Sequence, residues 1–178
     1  MKPINILNRT NSWLLALVII LSLLLWYEPQ PSVSTQKLSA LKAEQITTID
    51  IIREPLIAIH LRKNETGWKI ASEPLPGESP TNSPVDSQAV NPKMLQRILG
   101  LLSSQSYQRF SSQGQDLNAY GLEQSQTQIR FNELEIIFGK EEPIHSRRYV
   151  LIGQEIHLIN NFIYYLLRSD IKQFIDEK

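Results

Sequence analysis

Apolar and polar positions separate sharply near the start of the chain. From Trp13 to Tyr27 it reads WLLALVIILSLLLWY, interrupted only by Ser22, and no charge falls between Arg9 and Glu28. A run of this kind has no polar face to offer water, so it predicts a membrane-spanning helix over 13–27 rather than a helix of a soluble core. At about 1.5 Å per residue it reaches about 23 Å, short of a ~30 Å hydrocarbon layer, so Ser12 and neighbouring turns or local thinning must supply the rest. Leu17 and Leu21 fall mid-span, while Trp13 and the Trp26-Tyr27 pair sit where amphipathic rings favour the headgroup level. Lys2 and Arg9 precede the run and the next basic residue is Lys37, which assigns residues 1–12 to the cytoplasm and everything after Tyr27 to the outside. Ser32-Val33-Ser34 supports a competing reading, a cleaved signal peptide, against which Glu28, Pro29 and Pro31 argue. Either way the remainder is exported, and the expected location is the bacterial inner membrane with a periplasmic domain.

Residues 28–45 are polar, carry Pro29 and Pro31, and predict a tether of ~20 Å. A single domain is expected over 46–178. Ile46 to Ile52 is rich in β-branched residues, and Leu56 to Arg62 alternates, with Ile57, Ile59 and Leu61 on one face and Ala58, His60 and Arg62 on the other. A turn at Asn64-Glu65-Thr66-Gly67 leads into a third strand, Trp68 to Ala71, completing a β-meander. Ser72 to Ala89 holds four prolines and reads as a long irregular loop. Asn91-Pro92 is a capped helix start, followed by an apolar stripe of Met94, Leu95, Ile98, Leu99, Leu101 and Leu102 through Ser104. Asp116 to Tyr120 predicts a short turn ended by Gly121, and hairpins are expected about Asn132-Glu133 and Gly153-Gln154. Phe162, Tyr165, Leu166, Ile171 and Phe174 recur at helical spacing, with a break near Ser169-Asp170. The fold class this implies is α+β: a mainly antiparallel sheet packed by one or two helices, after one N-terminal transmembrane helix.

Composition narrows the function without assigning one. Eighteen Lys plus Arg balance eighteen Asp plus Glu, so nothing draws a polyanion and nucleic-acid binding is disfavoured. Cysteine is absent, which removes disulfides, thiolate metal sites and a cysteine nucleophile.

An ordered series of short motifs then stands out. Gly67-Trp68-Lys69-Ile70 is followed by a proline-rich loop to Val85-Asp86, an amphipathic helix, Asp116-Leu117, Tyr120-Gly121-Leu122, Phe138-Gly139 and Arg148-Tyr149-Val150. Over about Ile46 to Ile159 this resembles domain-of-unknown-function family 4340. The resemblance implies a membrane-anchored envelope protein, sometimes associated with ABC-type transport or gliding-motility systems; it supplies no catalytic residues. Members of that family are often longer, and this chain holds one unit.

Candidate chemistry is sparse. His60, His145 and His157 are the only imidazoles; no pair has the spacing of a local metal site, and His60 and His157 are expected opposite the aliphatic faces, toward solvent or under a helix. No Gly-x-Ser-x-Gly elbow, helix-initiating Ser-x-x-Lys or glycine-rich phosphate loop occurs. Glu141-Glu142 reads as a solvated turn. Arg147-Arg148 with Arg53 and Arg130 form a candidate basic patch, set against an ordinary mixed surface. Trp68, Tyr120 and Tyr149 are candidate pocket residues or core anchors. No cofactor is called for. The expectation is a non-enzymatic subunit that binds another envelope or inner-membrane protein. The alternative is a small-ligand or lipid site between the sheet and the Asn91 helix, and a hydrolase would require the histidines to converge.

Overall fold

A computed structural model describes residues 9–26, 36–71 and 88–176. It divides into two units, residues 1–33 and 34–178. In the first, α1 (Arg9–Trp26) is a helix whose side chains from Trp13 to Leu21 are exposed, Trp13 at 76%, Leu17 at 45% and Leu21 at 51%. Among the described residues no helix is long and apolar enough to cross a membrane. Four polar residues, Arg9 to Ser12, occupy the first turn of α1; its apolar part runs from Trp13 to Trp26, about 21 Å at the rise of an α-helix. Tyr27, the predicted cleavage site and most of the proline-rich loop lie outside the described residues.

The second unit is α+β, built on an eight-stranded antiparallel sheet with short helices on one face. In chain order its strands are β1 (Gln36–Lys37), β2 (Thr48–Arg53), β3 (Leu56–Asn64), β4 (Gly67–Ala71), β5 (Gln105–Ser106), β6 (Gln108–Ser111), β7 (Thr127–Phe131), β8 (Leu134–Glu142), β9 (Arg147–Ile152) and β10 (Glu155–Asn160). The large sheet runs β4-β3-β2-β7-β8-β9-β10-β6, and β1 pairs with β5 in a separate two-stranded ribbon. The meander and both hairpins form as the alternation predicts. Asn132 and Gly153 take positive φ at the two hairpin turns, a conformation asparagine and glycine tolerate.

Register places Ile49, Ile51, Ile59, Leu61, Ile129, Ile136 and Val150 on one face of the sheet, all buried. Against that face packs α2 (Pro92–Leu99), whose N-cap Asn91 accepts from the amides of Lys93 and Met94 at 3.0 and 3.4 Å. The apolar stripe continues past α2 as a 3-10 turn, Gly100–Ser103, which buries Leu101 and Leu102. The C-terminal segment breaks where expected, giving α3 (Phe162–Leu167) and a 3-10 turn, Ile171–Phe174, capped by Asp170. Its phase differs from the expectation: Ile163, Leu166 and Leu167 are buried, whereas Phe162 and Tyr165 are 57% and 60% exposed. The sequence FIYYLL has no polar face to fix the helix rotation, so the sheet selects the branched aliphatics.

Two stretches depart from the predicted organisation. Part of the expected tether is packed, since Gln36–Lys37 pair with β5 and Leu38 is 5% exposed. The β4 edge is closed by residues 88–90 and 174–176: Ile70 N–H donates to Gln88 O, Val90 N–H to Trp68 O, and Asn91 N–H to Phe174 O. That closure leaves β4 no open hydrogen-bonding edge at Trp68 and Ile70.

Candidate functional site

Each histidine is bound to its own neighbours. Asp50 and His60 lie opposite one another on β2 and β3, with His60 Nδ1 2.8 Å and Arg62 Nη1 2.7 Å from Asp50 Oδ1. Burial pushes the Asp50 carboxyl up, but hydrogen bonds from His60 and Arg62 outweigh it and hold the group below the usual carboxylate range. His145 sits in the β8-β9 turn, its Nδ1 3.4 Å from Glu142. His157 pairs with Val150 on the core face and is 3% exposed, so the expectation that it faces away from the aliphatic side is corrected. Four strands separate β3 from β10, which puts His60 and His157 about 24 Å apart at about 4.8 Å per strand. Among the described residues no group of three or more His, Asp or Glu could hold a metal ion.

His157 comes nearest to a catalytic arrangement. Its Nδ1 is 3.0 Å from Ser106 Oγ and its Nε2 4.0 Å from Glu155. The Ser106 hydroxyl, however, donates to Gln108 O at 3.0 Å, so it accepts from His157 Nδ1–H rather than passing a proton to it. A nucleophile needs the opposite polarity and access to substrate, and Ser106 is 3% exposed. Burial holds His157 below the usual imidazole range; Arg109 acts in the same direction and Glu155 opposes it. The pair therefore fastens β5 to β10.

The aromatic candidates separate. Trp68, opposite Lys63 on the meander, packs on the main core. Tyr149 lies on the other face of the sheet, where its ring meets Tyr120 edge-on at 5.0 Å, and Tyr120 meets Phe110 at 5.7 Å. Burial raises the Tyr149 hydroxyl above its usual range, with Glu142 and Tyr120 adding to the shift. This cluster forms where the loop carrying Tyr120-Gly121-Leu122 crosses β8 at Phe138-Gly139, and Lys140 N–H donates to Tyr120 O at 2.7 Å. Two of the short motifs singled out in the sequence are thus a single packing contact.

The candidate basic patch does not assemble. Arg53 and Arg148 are buried and donate to backbone carbonyls, Arg53 to Leu167 and Ser169, Arg148 to Gly139. Arg130 pairs with Glu135 at 2.8 Å, and Arg147 lies over the Tyr107 ring at 3.9 Å. Arg53 and Arg168 also line a concavity of about 350 Å³, but Arg168 Nη1 donates to Glu54 O and Thr127 Oγ1, so both cations hold the C-terminal end of α3 in place. The Glu141-Glu142 pair is similarly engaged: Glu142 accepts from the His145 amide at 2.9 Å and Glu141 from the Tyr165 hydroxyl at 3.3 Å.

Among the concavities bordered by described residues, one is a markedly apolar open groove of about 270 Å³ between the end of α2 and the start of α3. Buried Leu101, Ile159 and Ile163 and the exposed Phe162 line it, together with Gly100 and the polar Arg97, Ser104 and Asn160. The alternative reading puts a small-ligand or lipid site between the sheet and the Asn91 helix; the groove is at that helix's far end, against α3. The available signal was Gly100, a glycine within an apolar helical stripe.

The family model described as a domain of unknown function (DUF4340) matches residues 77–178. That match begins later than the motif series, after Gly67-Trp68-Lys69-Ile70, and runs on through α3 to the last residue. No curated protein and no solved structure matches the chain. Because the match covers more than half of the 178 residues, the chain belongs to the DUF4340 family.

Proposed function

We propose that this chain is a single-pass protein of the bacterial inner membrane whose periplasmic α+β domain binds a protein partner and performs no chemistry of its own. The observation that carries the proposal is α1, an apolar helix whose side chains from Trp13 to Leu21 are exposed and therefore require a non-aqueous environment. With Ser12 added, its shortfall against a ~30 Å layer is within what bilayer thinning accommodates at modest cost per ångström. The partner reading draws on the groove. At about 270 Å³ it falls below the ~300–1,000 Å³ of typical small-molecule sites, and it is open rather than enclosing, which suits one or two inserted side chains. The small-ligand or lipid reading stands second, favoured by the polar rim of Ser104 and Asn160.

The test is topological. A reporter enzyme active only outside the cytoplasm, fused after Lys178, is expected to be active, and the chain is expected to stay with membranes after alkaline extraction. Activity of a cytosol-specific reporter at the same position, or release by alkali, sinks the proposal.

A further inference from the structure

Gly100 has no conformational reason to be glycine. Its φ of −59° and ψ of −22° are ordinary right-handed values, and a β-carbon built there meets nothing within 4 Å. Alanine would hold that backbone better by reducing the freedom of the unfolded chain. Gly100 lines the groove without a side chain, and the space over its α-carbon is open. Glycine there gives up some stability and leaves the concavity unfilled, a trade expected where function needs the space.

The rim charge indicates what enters. Among the described residues no carboxylate lines the groove, Arg97 does, and Lys93 lies one turn earlier on α2; neither makes an ion pair among the described residues. We infer that the groove receives a large apolar side chain from a segment of a separate protein, with a carboxylate about one helical turn away meeting Arg97. The inference rests on the partner reading and adds its site and chemistry. A positive rim beside an apolar slot selects an acidic-apolar segment over a basic one, because a like charge at Arg97 is repelled while the slot contributes equally to both.

Two measurements on the full chain separate this inference from the reading beneath it. In lipid nanodiscs, the methyl signals of Leu101, Ile159 and Ile163 are followed while a twelve-residue helical peptide with a leucine stripe flanked by Glu is added, and then the same peptide with Lys in place of Glu. The Glu peptide is expected to shift these methyls saturably and to bind about three- to fivefold more tightly than the Lys peptide. Arg97→Glu is expected to invert that preference, and Gly100→Leu to abolish the shifts while leaving the remaining spectrum folded. Equal affinity for the two peptides, or an unaltered preference in Arg97→Glu, overturns the inference, as does paramagnetic lipid broadening these methyls before any peptide is present. In intact membranes, a photoreactive residue at Phe162 is expected to form a protein adduct that Gly100→Leu removes. Adducts at 162 that persist in Gly100→Leu overturn the groove and keep the partner reading; absence of a protein adduct from every exposed position of the domain overturns both.

Discussion

The backbone of Gly139 runs directly beneath the carbonyl of Tyr120, so close that a β-carbon on Gly139 would overlap it and would also press on Leu122. The following amide, Lys140, donates to the same carbonyl at 2.7 Å, so the loop cannot lift without losing a hydrogen bond. Gly139→Ala is therefore expected to destabilise the domain by about 1–3 kcal/mol, the range for forcing one extra carbon into a packed site. Urea unfolding followed by circular dichroism measures it. A loss confined to a few tenths would show that the loop docks loosely. The Tyr120–Tyr149 edge contact should weaken in the same variant, visible as a shift of the tyrosine ring signals.

Arg148 binds the same region from below. Its guanidinium donates to Gly139 O and, at 2.6 Å, to Asn161 Oδ1, and lies 3.5 Å from the centre of the Tyr164 ring. Burial holds the guanidinium below its usual range, which means its charge has been taken out of water in exchange for these contacts. Arg148→Ala leaves two buried acceptors unpaired and is expected to cost about 3 kcal/mol. Arg148→Lys should recover little, because a single ammonium cannot serve both acceptors and the ring in one geometry. Stability of the lysine variant within about 0.5 kcal/mol of wild type would contradict a planar-fork role for Arg148.

Much of the sheet was legible because turn chemistry and alternation agreed. Asn64 to Gly67, Asn132-Glu133 and Gly153-Gln154 each separate runs of period two, and each forms the expected reversal. The β6 strand was not legible: Gln108-Arg109-Phe110-Ser111 carries one apolar residue, and its extension is imposed by β10, nearly fifty residues away in sequence. The two-residue ribbon of β1 and β5 is long-range for the same reason. His157 was misassigned because β10 is covered on both sides, with Ile156, His157, Leu158 and Ile159 all buried, so alternation carried no information there. The groove was harder to read for a simpler reason: its signal in the sequence is one glycine, Gly100, within an apolar stripe.

The burial of His157 makes stability depend on pH. Its folded value lies below the ordinary 6.5, so between the two values the unfolded chain binds more protons and stability rises with pH. The contribution is fully present above about 6.5 and is lost as the solution is acidified through that window. The charges facing the ring are Glu155, which resists the shift, and Arg109, which favours it. Denaturant midpoints are expected to fall from pH 7.5 to pH 5.5, and His157→Gln, which can still donate to Ser106, to flatten the slope. Asp50 titrates in a lower window, since its depressed value lies below 3.8. An unchanged slope in the glutamine variant would assign the effect to another group.

Asn132 joins the β7-β8 hairpin to the entry of β2 through one side chain. Its Oδ1 accepts from the amides of Thr47 and Thr48 at 3.0 and 3.1 Å, its Nδ2 donates to Gln45 O at 3.0 Å, and its φ is 52°. Two separable terms follow. Glycine at this position removes the hydrogen bonds but accepts the left-handed backbone, whereas alanine removes the bonds and adds about 1 kcal/mol of strain. Aspartate keeps the two acceptor bonds and loses only the donor to Gln45. Thermal unfolding is therefore expected to rank wild type above Asn132→Asp, then Asn132→Gly, with Asn132→Ala lowest. If alanine proved as stable as glycine, the left-handed conformation would not be constraining the turn, and asparagine would be retained for its hydrogen bonds alone.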